Sequence, residues 1–168
     1  MKCVKVDLDR ELKGLNIEIF SDLHLGSTKC NYHLIQERIR KVKDDPNTYC
    51  IILGDVLNNS TISSVGDTYE EELTPMQQVK QAVSLFEPIK DKIIGVVTGN
   101  HERRSYKTDG IDLLYFMCSE LRIQDRYDSV AVLLFLRFGK QSRGLKESNG
   151  SGNVRKMLYT LYLTHGSA

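Results

Sequence analysis

Ile93-Ile94-Gly95-Val96-Val97-Thr98-Gly99-Asn100-His101-Glu102 joins a short apolar run to a turn carrying an amide, an imidazole and a carboxylate. A run this short, bounded by turn residues, has the pattern of a strand buried on both faces. The same construction recurs three times. Ile17 to Phe20 leads to Asp22 and His24, Cys50 to Leu53 leads to Gly54-Asp55, and Leu158 to Leu163 leads to His165-Gly166. In open α/β sheets ligands collect outside the carboxyl ends of strands, so these four loops are expected to converge on one site. The glycines beside Asp55, Asn100 and His165 permit tight turns that present the polar side chain at the end of its strand.

Between these runs, helix-like and strand-like stretches alternate. Val4, Val6 and Leu8 alternate with polar residues as in a half-buried strand, and Lys13-Gly14 offers a turn. Ile35, Ile39 and Val42 recur at helical spacing within residues 31 to 43. Asn58 to Leu73 has no clear period and carries Glu70-Glu71-Glu72, which reads as a long loop. Thr74-Pro75-Met76-Gln77 then has the form of a helix start, with Thr74 as cap, Pro75 in the first turn and Gln77 as capping-box partner. Val79, Val83 and Phe86 supply its buried stripe. Ile111, Leu114, Tyr115 and Cys118 fit a helix opened by Asp109. Two final strands are expected at residues 130 to 138 and 157 to 164, joined by a Gly-, Ser-, Lys- and Arg-rich loop, Gly139 to Asn153.

The chain has 168 residues with 40% hydrophobic content, enough for one domain with its own core, so residues 1–168 are read as a single domain. Lys plus Arg number 23 against 22 Asp plus Glu, a net charge of +1 that gives no general pull toward nucleic acid or membrane. Cys3, Cys30, Cys50 and Cys118 form no CxxC pair, which argues against a zinc knuckle or a redox motif. Residues 1 to 7 lack the apolar core of a secretory signal, and no apolar stretch reaches the ~18 residues of a membrane span. The expectation is a soluble, cytoplasmic protein.

The mixture of carboxylate, imidazole and amide has its own chemistry. Two divalent ions about 3.5–4 Å apart can clamp the attacking and leaving oxygens of a phosphoester while acidifying water. Holding two cations so close takes a bridging anion, and a carboxylate serves. The N/O donor set suits Mn, Fe, Zn or Ni better than a thiolate site would. Asp22-Leu23-His24, Gly54-Asp55 with Asn58-Asn59 behind it, and Gly99-Asn100-His101-Glu102 occur in this order. They resemble the DxH, GD and GNH[ED] signatures of the calcineurin-like metallophosphoesterases, and His165-Gly166 resembles that family's next motif. The form from Gly99 to Arg103, followed by Gly110-Ile111-Asp112, is more similar to the bacterial and phage branch than to the protein phosphatases.

The resemblance implies an α/β (α+β) fold, a four-layer α/β/β/α sandwich lacking its last strands. It implies two divalent metal ions, manganese favoured, with Asp22 and His24 on the first, Asp55 bridging, and Asn100 and His165 on the second. His101 would protonate the leaving alkoxide and, with Asn100 and Arg103, contact the substrate phosphate. The nucleophile would be a metal-bridging hydroxide. The family's closing GHxH motif has no counterpart before Ala168, so each ion would lack one protein ligand and the chain reads as incomplete at its C-terminus. The implied function is hydrolysis of a phosphodiester, such as a nucleic acid or nucleotide, or of a phosphomonoester. The alternative is a catalytically silent homologue that only binds a metal, an anion or a protein partner.

Taken singly, each motif has a plainer reading. Asp-x-His is common by chance, and Gly-Asp is ordinary turn chemistry. Their conjunction, each behind an apolar strand, is what points to one site. His33 reads as a solvated surface residue. Arg103 and Arg104 offer guanidinium forks suited to phosphate, or form a solvated helix edge. Arg137, Lys140, Arg143, Lys146, Arg155 and Lys156 give the last strand pair and its loop a basic bias that could guide a nucleic-acid backbone toward the site, though with no aromatics interleaved for base stacking a solvated loop is the plainer reading. Tyr159 and Tyr162 read as packing residues. No glycine-rich phosphate loop of the GxGxxG or GxxxxGK[ST] kind is present.

Overall fold

Thr74, Pro75 and Gln77 start a helix as their chemistry requires. The Thr74 hydroxyl accepts the Gln77 N–H, and the Gln77 side chain accepts the Thr74 N–H at 2.9 Å, closing a capping box on helix α2, Pro75–Phe86. Helix α1, Tyr32–Asp44, begins where the Asn31 side chain accepts the Leu34 N–H, and it buries Ile35, Ile39 and Val42 as their spacing predicts. The computed structural model describes residues 1–9, 11–60, 73–140 and 156–166. The expected loop at residues 58 to 73 is therefore described only at its ends, and most of the loop from Gly139 to Asn153 lies outside the described residues.

Strands β1 (Lys2–Asp7), β2 (Asn16–Phe20), β3 (Thr48–Ile52), β4 (Ile93–Val97), β5 (Tyr127–Asp128), β6 (Val132–Lys140) and β7 (Lys156–Leu163) form two sheets. The larger runs β2-β3-β4-β5, parallel throughout, each crossover carrying helix. The smaller runs β1-β6-β7, with β1 parallel and β7 antiparallel to β6. This is the mixed α/β arrangement expected, with helices packed on the outer face of the larger sheet.

Strands β3 and β4 read as unbroken apolar runs because both their faces are covered. Cys50, Ile52, Ile93 and Val96 pack with Ile39, Val79, Phe86 and Met117 of the helices, while Ile51, Ile94 and Val97 pack against Val132, Leu134 and Leu163 of the smaller sheet. Burying each such large side chain stabilises the fold by roughly 1.5–3 kcal/mol, which fixes these strands and the loops at their carboxyl ends. A Cβ at Gly95 would lie 2.5 Å from Leu163 Cδ1, so glycine is what lets β7 lie this close to β4. Among the described residues no helix covers the other face of the smaller sheet, and Tyr162 there is 61% exposed rather than packed. Tyr159 does pack, stacked on Phe138 at 4.9 Å.

One helix expectation is corrected. Asp109 does not cap the helix after the third motif, because it is the last residue of an earlier helix, α3, Glu102–Asp109, that begins directly behind His101. Gly110, at φ 72°, ends α3 in the left-handed conformation a glycine adopts without strain. Asp112 then caps α4, Leu113–Glu120, by accepting the Tyr115 N–H at 2.9 Å. The buried face of α4 is Leu113, Leu114, Met117 and Cys118, and Ile111 and Tyr115 are exposed.

His33 is exposed, as expected. Cys50 and Cys118 are buried free thiols, and burial pushes Cys50 up to about 12. Arg137 and Lys156 both reach the Asp7 carboxylate, which neutralises part of the basic bias of the last strand pair. No helix among the described residues is long and apolar enough to cross a membrane.

Candidate metal centre

The loops that follow β2 and β3 continue the parallel ladder beyond the strands. Asp22 N–H donates to the Gly54 carbonyl at 3.2 Å, His24 to Asp55 at 3.0 Å and Leu25 to Val56 at 2.8 Å, and Asn58 donates back to Leu25 at 2.9 Å. Asp22, His24 and Asp55 sit in the left-handed region, at φ 56°, 50° and 49°. For a residue with a Cβ that region costs about 1–2 kcal/mol, so three instances in adjoining turns are strain held by the ladder around them. The strain turns all three side chains toward one place.

Gly54 and Gly99 lie back to back. A Cβ on Gly54 would sit 2.2 Å from Gly99 N, and a Cβ on Gly99 would sit 2.1 Å from Asp55 Oδ1. The glycines of the second and third motifs are thus needed for contact between the loops, beyond the turns themselves.

Glu102 joins these loops. It is 1% exposed, and its Oε2 accepts the N–H groups of Asp55 and Gly99, each at 3.0 Å, while Oε1 accepts that of Leu57 at 2.9 Å. Burial raises its pKa and the nearby Asp55 charge adds to this, while the backbone donors oppose both. Asn59 is a second tie. Its side chain donates to the His101 carbonyl at 2.7 Å and accepts the Ser105 hydroxyl at 2.9 Å, and its own N–H donates to the buried Gln78 side chain at 2.9 Å.

On this frame the polar side chains meet. Among the described residues, His24, Asp55 and His101 offer donor atoms all within 4.8 Å of one another, and so do Asp22, Asp55 and His165. Asp55, 3% exposed, belongs to both groups. Its Oδ2 lies 3.5 Å from His165 Nε2 and 3.9 Å from His101 Nε2, while its Oδ1 accepts the His101 N–H at 2.9 Å. Asn100 Oδ1 lies 3.0 Å from His165 Nε2. By distance Asp22 groups with His165 and His24 with His101.

The ring tautomers follow from the partners. His101 Nδ1 faces the Asn58 carbonyl at 2.6 Å and His165 Nδ1 faces the Leu53 carbonyl. A carbonyl only accepts, so each Nδ1 donates and Nε2 is the ring atom left to face the site, toward Arg104 in His101 and toward Asn100 and Asp55 in His165. A carbonyl bond of this kind orients most metal-binding histidines. Around His165 this leaves a lone pair, an amide oxygen and a carboxylate facing one another, an arrangement a cation satisfies. His24 Nδ1 is buried without a hydrogen-bond partner, also as expected of a ligand atom. The residues present therefore fit divalent metal.

Burial lowers the His24 pKa from 6.5, and the neighbouring His101 and Arg104 add to this against the opposing pull of Asp55 and Asp22. The ring is thus neutral and able to ligate at neutral pH. In the unfolded chain the same imidazole takes up a proton near 6.5, whereas the folded ring resists it, so stability present above that pH is lost as pH falls below it. Thermal denaturation of the metal-free protein between about pH 7 and pH 5 is expected to show that loss, with a smaller loss in His24→Gln.

Arg103 is exposed and lines a cavity with Asn100 and His165, while donating to the Ser129 carbonyl at 2.7 Å. Arg104 lies closer in, its guanidinium 3.0 Å from His101 Nε2. Sequence reasoning missed the parts played by Glu102, Asn59 and Gln78. The first two stand inside or just behind quoted motifs, and Gln78 shows as a polar residue on the apolar stripe of α2.

A family model described as calcineurin-like phosphoesterase matches residues 15–167. A search of curated proteins and a search of solved structures find no match.

Proposed function

Because the chain belongs to the calcineurin-like phosphoesterase family, we propose that it hydrolyses a phosphoester at a dinuclear metal site. The observation that carries this reading is the presence of two three-residue donor groups that share Asp55. Asp22, His24, Asp55, Asn100 and His165 would hold the ions, and their N/O character favours manganese, iron, zinc or nickel. Bound there, two divalent ions supply Lewis acidity and lower the pKa of water.

The chain's own residues do the rest. Asp55 contributes to both donor groups and, through Oδ1, fixes the backbone of His101. The carbonyls of Leu53 and Asn58 hold the rings of His165 and His101 in orientation. His101, its Nδ1–H held by Asn58, delivers a proton from Nε2 to the leaving alkoxide. Arg104, which has only donors, bonds that Nε2 in its unprotonated form, so this contact gives way when Nε2 carries a proton. The freed guanidinium is then available to the phosphate oxygens.

Elemental analysis of the purified protein is expected to find transition metal bound. Hydrolysis of bis(p-nitrophenyl) phosphate should stop on chelation and return with Mn²⁺, and His101→Ala should lower it by about 10²–10⁴-fold, the usual contribution of a positioned acid. Metal-loaded protein that turns over neither a diester nor a monoester would sink the proposal.

A further inference from the structure

Two cavities open beside the candidate centre, one of about 230 Å³ reaching Asn100 and His165, the other of about 320 Å³ reaching Tyr106 and Val130. Both are lined by Thr98, Arg103 and Lys107, so they adjoin along α3 and are together called the groove. We propose that this groove binds the part of a diester substrate that extends beyond the scissile phosphate, and that this part carries a second phosphate followed by a nucleobase. The inference rests on the phosphoesterase reading above and names its substrate class as nucleotide-type.

The charge of the groove supports an anion. Arg103 and Lys107 stand one helical turn apart on the same face of α3, about 6 Å along its axis. Lys107 has no carboxylate within ion-pair distance among the described residues, and Arg103 has one bond, to the Ser129 carbonyl, of the five its guanidinium can donate. The acids along the groove are already engaged. Asp112 accepts the Tyr115 N–H and the Tyr127 hydroxyl, and Glu102 is buried on three backbone donors. A fork beside an ammonium, both facing an open cavity, suits the several oxygens of a phosphate.

Past these cations the groove becomes apolar. Tyr106 is 61% exposed and Val130 57% exposed. A phenol ring and an aliphatic side chain at the far end of a cationic groove suit the flat face of a base. A diester with only small alkyl groups would leave both the cations and this apolar end without contacts.

The test compares a thymidine dinucleotide with and without a terminal phosphate, using the Mn²⁺-loaded protein. Wild type is expected to favour the phosphorylated dinucleotide by about tenfold in kcat/KM, as one charge-assisted contact implies. Lys107→Met should bring the ratio close to one with an unchanged melting temperature, and Tyr106→Ala should raise KM for a thymidine trinucleotide, whose second phosphate is followed by a base, while leaving that for the phosphorylated dinucleotide near the wild-type value. Equal rates on the two substrates in wild type, or an undiminished ratio in Lys107→Met, would overturn the proposal. Should wild type hydrolyse neither dinucleotide nor an aryl diester, the phosphoesterase reading fails and calorimetry with thymidine bisphosphate decides the groove separately. Binding weakened about tenfold in Lys107→Met supports the groove, and equal affinities or no binding overturn it.

Discussion

Asp55→Asn is expected to abolish productive metal binding while leaving the metal-free protein at least as stable as the wild type. The two halves of that result have separate causes. Asp55 is the one residue common to both donor groups, so losing its charge weakens both at once. Removing a mere outer partner of a ligand costs about 10–100-fold in affinity or activity, and loss of a shared ligand should exceed this, with kcat/KM falling on the order of 10³-fold or more. That corresponds to ~4 kcal/mol or more of transition-state stabilisation.

Stability should move the other way. Asparagine keeps an oxygen where Asp55 Oδ1 accepts the His101 N–H, so the turn survives. Without metal, a buried carboxylate at position 55 stands near the buried Glu102, and its neutralisation relieves like-charge repulsion. Melting curves with and without Mn²⁺ check both halves, since a bound ion stabilises by mass action. Wild type should gain on adding metal, and Asp55→Asn should start level or higher and gain little. A variant that unfolds without metal, or one that still responds to Mn²⁺ as wild type does, would contradict the shared-ligand geometry.

Glu102→Ala should be the most damaging single change to the fold of the site. It strands three buried N–H groups, those of Asp55, Leu57 and Gly99, each costing about 1–3 kcal/mol when left without an acceptor. The expected loss, on the order of 4 kcal/mol or more, is a large share of the roughly 5–15 kcal/mol that holds a typical domain together. Glu102→Gln is the informative companion. Its single oxygen can serve Asp55 and Gly99 from the Oε2 position, which leaves its NH₂ against the Leu57 N–H and costs about 1–3 kcal/mol. Such a variant should fold, bind Mn²⁺ more weakly than wild type, and regain part of its rate as Mn²⁺ is raised. Glu102→Ala melting like wild type would show that the clamp carries no stability.

Most of the elements, and the candidate ligands at their ends, were legible locally. Short apolar runs ending in Asp22, Gly54-Asp55 and Gly99-Asn100 are strand ends, because periodicity and turn residues are local signals and nothing distant overrides them there. The cap of α2 was legible for the same reason. The split at Gly110 was harder to see, since Asp109 and Asp112 are both good caps and only the packing of Leu113, Leu114 and Met117 selects the second.

What the tertiary structure alone decided is which groups meet. Glu102 is separated by 47 residues from the backbone of Asp55 and by 45 from that of Leu57, and no local pattern shows that its carboxylate turns inward to them. Likewise His165 reaches Asp55 because β7 runs antiparallel to β6 and passes close over Gly95. Pairings of this kind depend on how two sheets stack and which loops zip together. They are set by long-range packing, whereas the sequence within any one motif specifies only its own turn.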